Sequence, residues 1–236
     1  MKSPYGLSPE CLNCHLRPNN FFCSLSKESL KALHQIKHGV VFPEGAVIFL
    51  QGQNPRGIFM LCHGQAKLST NSRNGKTLIL RIAKPGEVLG LHSVVTGKPH
   101  EVTVETMSPS QLNFVGREDF LPFLKRHGDA CLRATQHISR DYQDACDVVR
   151  CVGLSHSISE RLAKFLLESS AEGHVGNGVV RTKLALTHED IAQLIGTYRE
   201  TVTRVLAEFR KMKILELKGS TLTIRNKAAL ERLVAA

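Results

Sequence analysis

The chain has 236 residues, 42% of them hydrophobic, and 31 Lys and Arg against 21 Asp and Glu, which gives a formal net charge of +10. This length favours two compact domains, and no apolar run approaches the roughly 18 residues of a membrane span. The first residues lack the apolar core of a signal peptide, so we expect a cytoplasmic protein without a membrane segment. The positive charge favours an anionic partner, with nucleic acid first.

Residues 1–20 form an N-terminal leader that contains two cysteines in a C-x-x-C pair, Cys11 and Cys14, and Cys23 follows after eight more residues. In a cytoplasmic chain the cysteines are expected to be thiols or metal ligands rather than disulfides. Thiolates so close in sequence can share a metal ion or an iron–sulfur cluster. The alternative is two exposed thiols, with Cys23 as a small buried hydrophobe.

Residues 21–127 are expected to start with a helix capped by Ser26 and then to change to β structure. Short apolar or alternating runs between Gly39 and Gly116 are separated by glycines, and the strands recur at intervals of about ten residues. Asn74-Gly75 between two such runs is a strong hairpin signal. The spacing predicts a sandwich, a barrel or a jelly roll.

The period becomes helical again near Asp119, and residues 129–152 predict one long helix. Two series of side chains, each spaced seven residues apart, form a seam of about three heptads. The side chains that we expect in a dimer interface are Cys131, Thr135, Ile138, Tyr142, Ala145 and Val149. A parallel copy of the same helix is the simplest partner, and packing on the chain's own β domain is the alternative.

Residues 154–236 combine helices with short strands. The expected elements are a helix capped by Ser155 or Ser157, a loop at 173–178, a strand at 179–182, two short helices, and a hairpin of 214–217 with 221–224. A hairpin after two helices joined by a tight turn predicts a winged helix. Lys218 at the hairpin tip is either a phosphate contact or only a polar turn residue.

The two short helices are expected within 186–215, with a tight turn between them. Thr187 is the predicted cap of the first helix, and Gly196 suits the position just past its end, where φ is often positive. Thr197 repeats the T-x-x-E capping pattern for the second helix, which we expect to span 198–212. The pattern therefore predicts a helix-turn-helix.

The second of these helices has one apolar face and one polar face. At about 100° per residue, its valines, leucine and phenylalanine fall on one arc. The residues on the polar arc that we expect to read DNA bases are Arg199, Glu200, Thr203 and Arg204. Arg takes guanine O6 and N7 as a pair and Glu accepts from cytosine N4, which is typical of a recognition helix in the major groove. Taken singly, each is also explained as a capping or solvated residue.

The order of these elements, together with Arg199-Glu200-Thr201-Val202-Thr203-Arg204, resembles the CRP/FNR family of bacterial transcription regulators, from about residue 21 to 233. The resemblance implies an α+β fold. Its parts are a β-roll sensor domain (a double-stranded β-helix or jelly roll) at 21–127, a dimerisation helix at 128–153 and a C-terminal winged helix-turn-helix at 154–236. It also implies a homodimer that binds near-palindromic double-stranded DNA and contacts or occludes RNA polymerase.

The resemblance also implies roles for single residues. Arg199, Glu200 and Arg204 occupy positions that read a TGTGA-type half-site in cyclic-AMP-type members. Thr203 stands where oxygen-sensing members carry a serine that helps to read TTGAT, so the half-site stays open. Phosphate contacts, which orient rather than specify, are expected at Thr187, Tyr198 and Thr201, with Lys218 as a further candidate.

The resemblance does not identify the effector. Cyclic-AMP-binding members have a Gly-Glu pair and then an Arg-Ser pair that hold the ribose and the phosphate, whereas this chain has Gly90-Leu91 and, at about the second position, His100-Glu101. A carboxylate repels a phosphate, and a neutral His is a poor substitute for a guanidinium. These residues argue against cyclic AMP, although Gly86-Glu87 restores the first pair in a shifted alignment.

Oxygen-sensing members bind a [4Fe–4S] cluster with N-terminal cysteines and one cysteine of the β-roll. Cys11, Cys14 and Cys23 resemble the N-terminal group with a longer spacing. The β-roll position falls near Leu112-Asn113, without a cysteine, and Cys62 lies elsewhere on the roll. An iron–sulfur or thiol redox sensor is therefore an alternative. No nucleophile–base pair or phosphate-cradling glycine loop indicates an enzyme.

Overall fold

The structure is a computed structural model that describes residues 11, 14, 22–154, 157–171, 173–176 and 179–235. Contacts between residues divide the chain into two compact units, 1–145 and 146–236. One long helix begins in the first unit and ends in the second, so the boundary falls inside it. Within the described ranges, no helix is long and apolar enough to cross a membrane.

The first unit contains two four-stranded antiparallel sheets. Its strands are β1 (Lys37–Phe42), β2 (Val47–Phe49), β3 (Gly57–His63), β4 (Ala66–Asn71), β5 (Thr77–Ala83), β6 (Val88–Leu89), β7 (Thr103–Thr106) and β8 (Ser110–Gly116). One sheet has the order β1-β8-β3-β6 and the other β2-β7-β4-β5. This arrangement confirms the predicted β-roll. The hairpin predicted at Asn74-Gly75 joins β4 to β5, and Gly75 has φ +76°, which a tight turn requires.

The helices of the first unit flank the roll. They are α1 (Lys27–Ile36), α2 (Leu91–Thr96), α3 (Arg117–Arg126) and the first part of α4 (Gly128–Leu154). Ser26 caps α1 as predicted, because its hydroxyl accepts a hydrogen bond from the Ser29 N–H at 3.2 Å. Of the leader at 1–20, only Cys11 and Cys14 lie within the described residues.

The core of the first unit lies on both faces of β3. Ile58 and Met60 pack with buried side chains of α1 and α3, whereas Leu61 packs with Leu112 and Val104 inside the roll. A central strand that is buried on both faces needs a nearly continuous apolar run, which the sequence Gly-Ile-Phe-Met-Leu-Cys supplies. The roll is therefore held by two apolar clusters, one inside it and one under the helices.

Helix α4 is a single helix of 27 residues, as the sequence predicts. Ala130, Ala134 and His137 are its buried side chains. Of the seam residues, Ile138 packs against the core of its own unit, which is the alternative considered for the whole seam. The other five are exposed: Cys131, Thr135, Tyr142, Ala145 and Val149.

The second unit is a winged helix. It contains the end of α4, α5 (Ile158–Ser169), β9 (His174–Gly176), β10 (Val179–Lys183), α6 (His188–Ile195), α7 (Arg199–Lys211), β11 (Leu215–Lys218), β12 (Thr221–Ile224) and α8 (Lys227–Ala235). The strand order is β11-β12-β10-β9, all antiparallel. Ser157 caps α5. The other candidate cap, Ser155, lies outside the described residues.

Two elements of the second unit were not predicted from the sequence. The predicted loop at 173–178 contains β9, which pairs with β10 at Val175 and Val180, and residues 177 and 178 lie outside the described part of the chain. A strand of three residues among glycines is too short to show the alternating pattern by which strands are recognised in a sequence. Helix α8 was missed, although the Asn226 side chain accepts from the Ala229 N–H at 3.0 Å and Leu230 is fully buried.

Candidate nucleic-acid interface

The first helix of the helix-turn-helix, α6, begins at a capping box. The Thr187 hydroxyl accepts from the Asp190 N–H at 3.1 Å, and the Asp190 carboxylate accepts from the Thr187 N–H at 2.9 Å. Both backbone donors at the helix start are therefore satisfied by side chains. The predicted cap is confirmed, and it fixes where α6 starts.

The turn after α6 depends on glycine. Gly196 has φ +68°, and a β-carbon there would lie 3.2 Å from a methyl of Val152 and 3.5 Å from the Arg161 guanidinium. Arg161 donates from Nη1 to the Ile195 carbonyl at 2.8 Å, which satisfies one of the acceptors left at the end of α6. The turn is thus defined both by its backbone conformation and by the close packing around it.

The capping prediction for the second helix is wrong. Helix α7 begins at Arg199, with Tyr198 as its N-cap residue. Thr197 still belongs to the end of α6, because its N–H donates to the Ala192 carbonyl at 2.9 Å. Glu200 therefore completes no capping box with Thr197, and the structural explanation offered for this carboxylate is removed.

The two faces of α7 are as predicted. Its apolar side chains are buried in the core of the second unit: Val202, Val205, Leu206 and Phe209. The opposite face is exposed to solvent and carries the expected base-reading side chains: Arg199, Glu200, Thr203 and Arg204. One helix thus anchors itself with four apolar residues and presents two guanidiniums, a carboxylate and a hydroxyl.

Thr203 has a hydrogen-bond partner that the sequence did not predict. Its hydroxyl donates to the Arg199 carbonyl at 3.0 Å and lies 2.8 Å from Nδ1 of His188, the first residue of α6. Because the hydroxyl proton is used, the His188 Nδ1–H is the donor in this contact. His188 therefore lies beside the expected base-reading face. Only its place next to the Thr187 cap could have indicated this from sequence.

Arg204 is held loosely. Its Nη1 lies 3.1 Å from a Glu208 carboxylate oxygen, and the two side chains are 67% and 47% exposed. A pair of this kind on a helix surface contributes about 0.3–0.5 kcal/mol. Exchanging it for a contact with a base therefore costs little.

The expected phosphate contacts lie at the helix ends and at the wing. Tyr198 is 66% exposed. Thr201 is half-buried, whereas Thr187 is exposed, although its hydroxyl already serves Asp190. Lys218 is exposed at the β11–β12 turn, where its ammonium lies 2.9 Å from Glu216. Hydrogen bonds from Arg225 and Lys218 lower the pKa of Glu216 to about 2, so the wing carries a firmly ionised carboxylate between two cations.

The structure corrects the place of Cys62. It lies on β3 beside Asn113 of β8, whose side-chain amide donates to its sulfur at 3.0 Å. Burial, followed by the charge of Cys11, raises the pKa of both Cys23 and Cys62 to about 12. Cys14 and Lys37 also act on both thiols, so four cysteines share one region of the first unit. Among the described residues, no group of three potential ligands is arranged to hold a metal ion.

Comparison with known proteins supports both halves of this description. Residues 39–127 match the model of the cyclic nucleotide-binding domain, and residues 160–233 match the Crp-like helix-turn-helix domain. The chain is 24% identical to the CRP-like cAMP-activated global transcriptional regulator of Mycobacterium tuberculosis, over 89% of this chain and 94% of that protein. It is 26% identical to the transcriptional activator protein Anr of Pseudomonas protegens, over 91% of this chain and 88% of that protein.

Solved structures agree on the fold. FixK2 from Bradyrhizobium japonicum superposes with a TM-score of 0.73 at 22% identity, which covers 85% of this chain and 98% of that one. The relatives are transcription regulators and not enzymes. With a β-roll that matches the cyclic nucleotide-binding domain, followed by a Crp-like helix-turn-helix, the chain belongs to the CRP/FNR family and is a DNA-binding transcription regulator.

Proposed function

We propose that this regulator acts in the cytoplasm as a homodimer that reads a near-palindromic site in double-stranded DNA through α7. The observation that carries the proposal is the division of that helix. Its apolar face is buried in the winged-helix core, while Arg199, Glu200 and Arg204 face solvent. Glu200 does not cap the helix, and Arg204 makes only a weak ion pair, so neither charge is explained by a structural role.

The base-reading roles follow from the chemistry of each group. Arg199 and Arg204 each present a planar fork of donors that fits guanine O6 and N7, and Glu200 accepts from cytosine N4. Thr203 contributes less as a base reader, because its hydroxyl is already bonded to Arg199 and His188. Thr187, Tyr198, Thr201 and Lys218 are proposed to hold phosphates, which positions the helix without selecting sequence.

The dimer is proposed to form along α4. The exposed seam residues include Tyr142, 71% exposed, and Val149, 68% exposed, one heptad apart. Large side chains that are exposed at heptad spacing support pairing with a second copy of the helix. Two recognition helices then engage half-sites about 34 Å apart, one turn of DNA. Contact with RNA polymerase is proposed from the family alone.

Selection of bound sequences from a random DNA pool tests this function. We expect a near-palindromic consensus with half-sites one helical turn apart. Arg199→Ala should weaken binding to the selected site by about 1–3 kcal/mol and relax one base position in each half-site. Arg232→Ala removes the same charge from α8 in the same unit, and should change affinity only slightly. Equal effects of the two variants, or a pool without enrichment, would contradict the proposal.

A second function, an iron–sulfur or thiol redox sensor, is favoured by one specific observation. Three cysteines are clustered in the sequence, and the structure adds a fourth, Cys62 on β3, near enough to Cys11 and Cys14 for their charges to act on its thiol. Burial holds this thiol protonated, and the described residues are not arranged to hold a metal ion, so a cluster would have to deprotonate these side chains and draw them together as it forms. Thiolates are the ligands that iron–sulfur clusters require, and four complete the set. Cys11, Cys14, Cys23 and Cys62 would hold such a cluster, and it would supply sensitivity to oxygen.

Anaerobic purification of the full chain distinguishes the sensor from a plain regulator. A brown protein that contains iron and acid-labile sulfide, and loses both with Cys62→Ser, supports the cluster. Cys146→Ser removes a half-buried thiol on α4 that lies outside the proposed dimer seam, and is the matched control. A colourless protein that retains DNA binding in air would exclude the cluster and leave the regulator intact.

A further inference from the structure

The first unit contains a cavity of about 360 Å³ between the roll and α4. Its walls are mostly apolar, and the side chains that form them include Leu68, Leu80, Val88, Leu91, Val102 and Ile138. A space of this size, with apolar walls and a few polar groups, is typical of a small-molecule site. The polar groups therefore decide which ligand it accepts.

The cavity has one guanidinium, and that group is already neutralised. Arg81 bonds Glu87 through Nη1 and Asp141 through Nη2, the latter at 3.0 Å. Asp141 also lies 3.2 Å from Nδ1 of His137, which accepts the Val88 N–H on its other nitrogen. A phosphate that entered the cavity would have to displace one of two carboxylates from Arg81. The usual anchor for an anion is absent from the described lining.

Two further carboxylates face the cavity with no guanidinium or ammonium bonded to them. Within the described residues, Asp144 makes no hydrogen bond or ion pair. Burial raises its pKa, and Asp141 and Glu87 add to this effect, whereas the charges of Arg81 and Arg140 oppose it. Glu101 has only His92 nearby, at 3.8 Å. The lining is therefore acidic, and it repels anions.

A further polar group in the lining is a neutral imidazole. His100 is 5% exposed and stacks on the Phe49 ring at a centroid distance of 3.8 Å. Burial lowers its pKa, so the ring stays uncharged at neutral pH. No side-chain hydrogen bond to His100 occurs in the described part of the chain. The stacked pair offers a flat apolar surface with one donor and one acceptor at its edge.

We propose that this cavity binds a small ligand with an apolar ring and a positively charged nitrogen, and that it rejects anions, cyclic nucleotides included. The ring would lie among the apolar walls and against the Phe49–His100 stack. The nitrogen would pair with Asp144, a partly desolvated carboxylate that makes no hydrogen bond or ion pair within the described residues. That this ligand is the signal of the regulator rests on the proposed function, but the binding itself does not.

Three probes with one ring test the charge preference: 1-naphthylmethylammonium, 1-naphthylmethanol and 1-naphthoate, titrated calorimetrically into the full chain, with cyclic AMP as a fourth ligand. We expect the ammonium to bind about tenfold tighter than the carboxylate, which corresponds to one partly desolvated charge pair. The alcohol should lie between them, and cyclic AMP should give no heat. Asp144→Asn should reduce the advantage of the ammonium over the alcohol to about twofold or less.

Asp147→Asn is the matched control, since Asp147 lies three residues further along α4, exposed and paired with Arg150. It should leave all four titrations unchanged. Equal affinity for the three naphthyl probes, tighter binding of naphthoate or cyclic AMP, or no binding by a folded chain would overturn the proposal. DNA binding is measured on the same preparation. A chain that binds its selected DNA but no cationic probe contradicts only the proposed ligand class. A chain that binds the cationic probe but selects no DNA contradicts only the proposed DNA site.

Discussion

The cavity of the first unit and the exposed face of α7 use the same residue types in opposite ways. In the cavity, Arg81 is 16% exposed and bonds two carboxylates, so its charge is neutralised within the protein. On α7, Arg204 is 67% exposed and has one weak partner, so its charge is available to an incoming ligand. The residue type is the same at the two sites. Burial and partners decide whether an arginine stabilises the fold or remains accessible to a ligand.

The largest expected effect comes from a substitution in the turn between α6 and α7, and it tests how much that turn contributes to stability. Gly196→Ala forces a left-handed residue to carry a β-carbon 3.2 Å from Val152. We expect a loss of about 3 kcal/mol in the free energy of unfolding of the full chain, from strain and displaced packing together. Chemical denaturation measures it.

Gly219→Ala is the control for this experiment. Gly219 also has a positive φ, +56°, but a β-carbon added to it would have no other atom within 4 Å. Its loss should be about 1 kcal/mol, from backbone strain alone. Equal losses at the two glycines would show that the packing on Val152 contributes nothing.

Arg81→Met tests the claim that the charges in the cavity fasten the fold. It leaves Glu87 and Asp141 without their shared cation in a partly buried site. We expect destabilisation by about 2 kcal/mol, with no change in the DNA consensus. Denaturation and pool selection on the same variant check both points. An unchanged free energy of unfolding would mean that the ion pairs of Arg81 contribute no more than a pair on the surface.

Arg204→Met is the corresponding change on α7. Because the pair with Glu208 is exposed, the free energy of unfolding should change by about 0.5 kcal/mol or less. DNA affinity should nevertheless fall by about 1–3 kcal/mol, with one base position relaxed. A variant that lost stability and kept its DNA selectivity would reverse the comparison between the two sites.

The smallest effect concerns pH and the first unit alone. Burial by itself raises the pKa of Asp129, but hydrogen bonds from the Ser29 hydroxyl and the Ser26 N–H outweigh it and hold the pKa below its usual range. A depressed pKa adds stability above the unfolded value, near 3.9, and this stability is lost as the pH falls through the folded value. Asp129→Asn should flatten the acid limb of the unfolding free energy plotted against pH, as measured by denaturation at a series of pH values.

The sequence predicted most of the fold because its signals are local. The helical period of α4, the Asn74-Gly75 hairpin, the Thr187 cap and the two faces of α7 each depend on neighbours within a few residues, and the structure confirms them. The Thr197 cap failed because the same T-x-x-E pattern also fits a residue that belongs to the end of the preceding helix. Strand β9 was too short to show a period.

The contacts that the sequence did not predict join residues distant in the chain. His188 meets Thr203 across the helix-turn-helix, and Cys62 meets Asn113 across two strands. The partners of Arg81 come from a turn of the roll and from α4, sixty residues later. Residue type and spacing carry no information on such pairs, because the pairing depends on how the elements pack.

The glycine at 196 joins two parts of the second unit. A branched side chain from the last turn of α4, Val152, packs over the bend between α6 and α7, with its two methyl groups 3.2 and 3.3 Å from the place where a β-carbon at residue 196 would lie. A rotation of the last turn of α4 that moved Val152 toward Gly196 would press on this bend. The end of α4 therefore packs directly against the bend that sets the angle between α6 and α7.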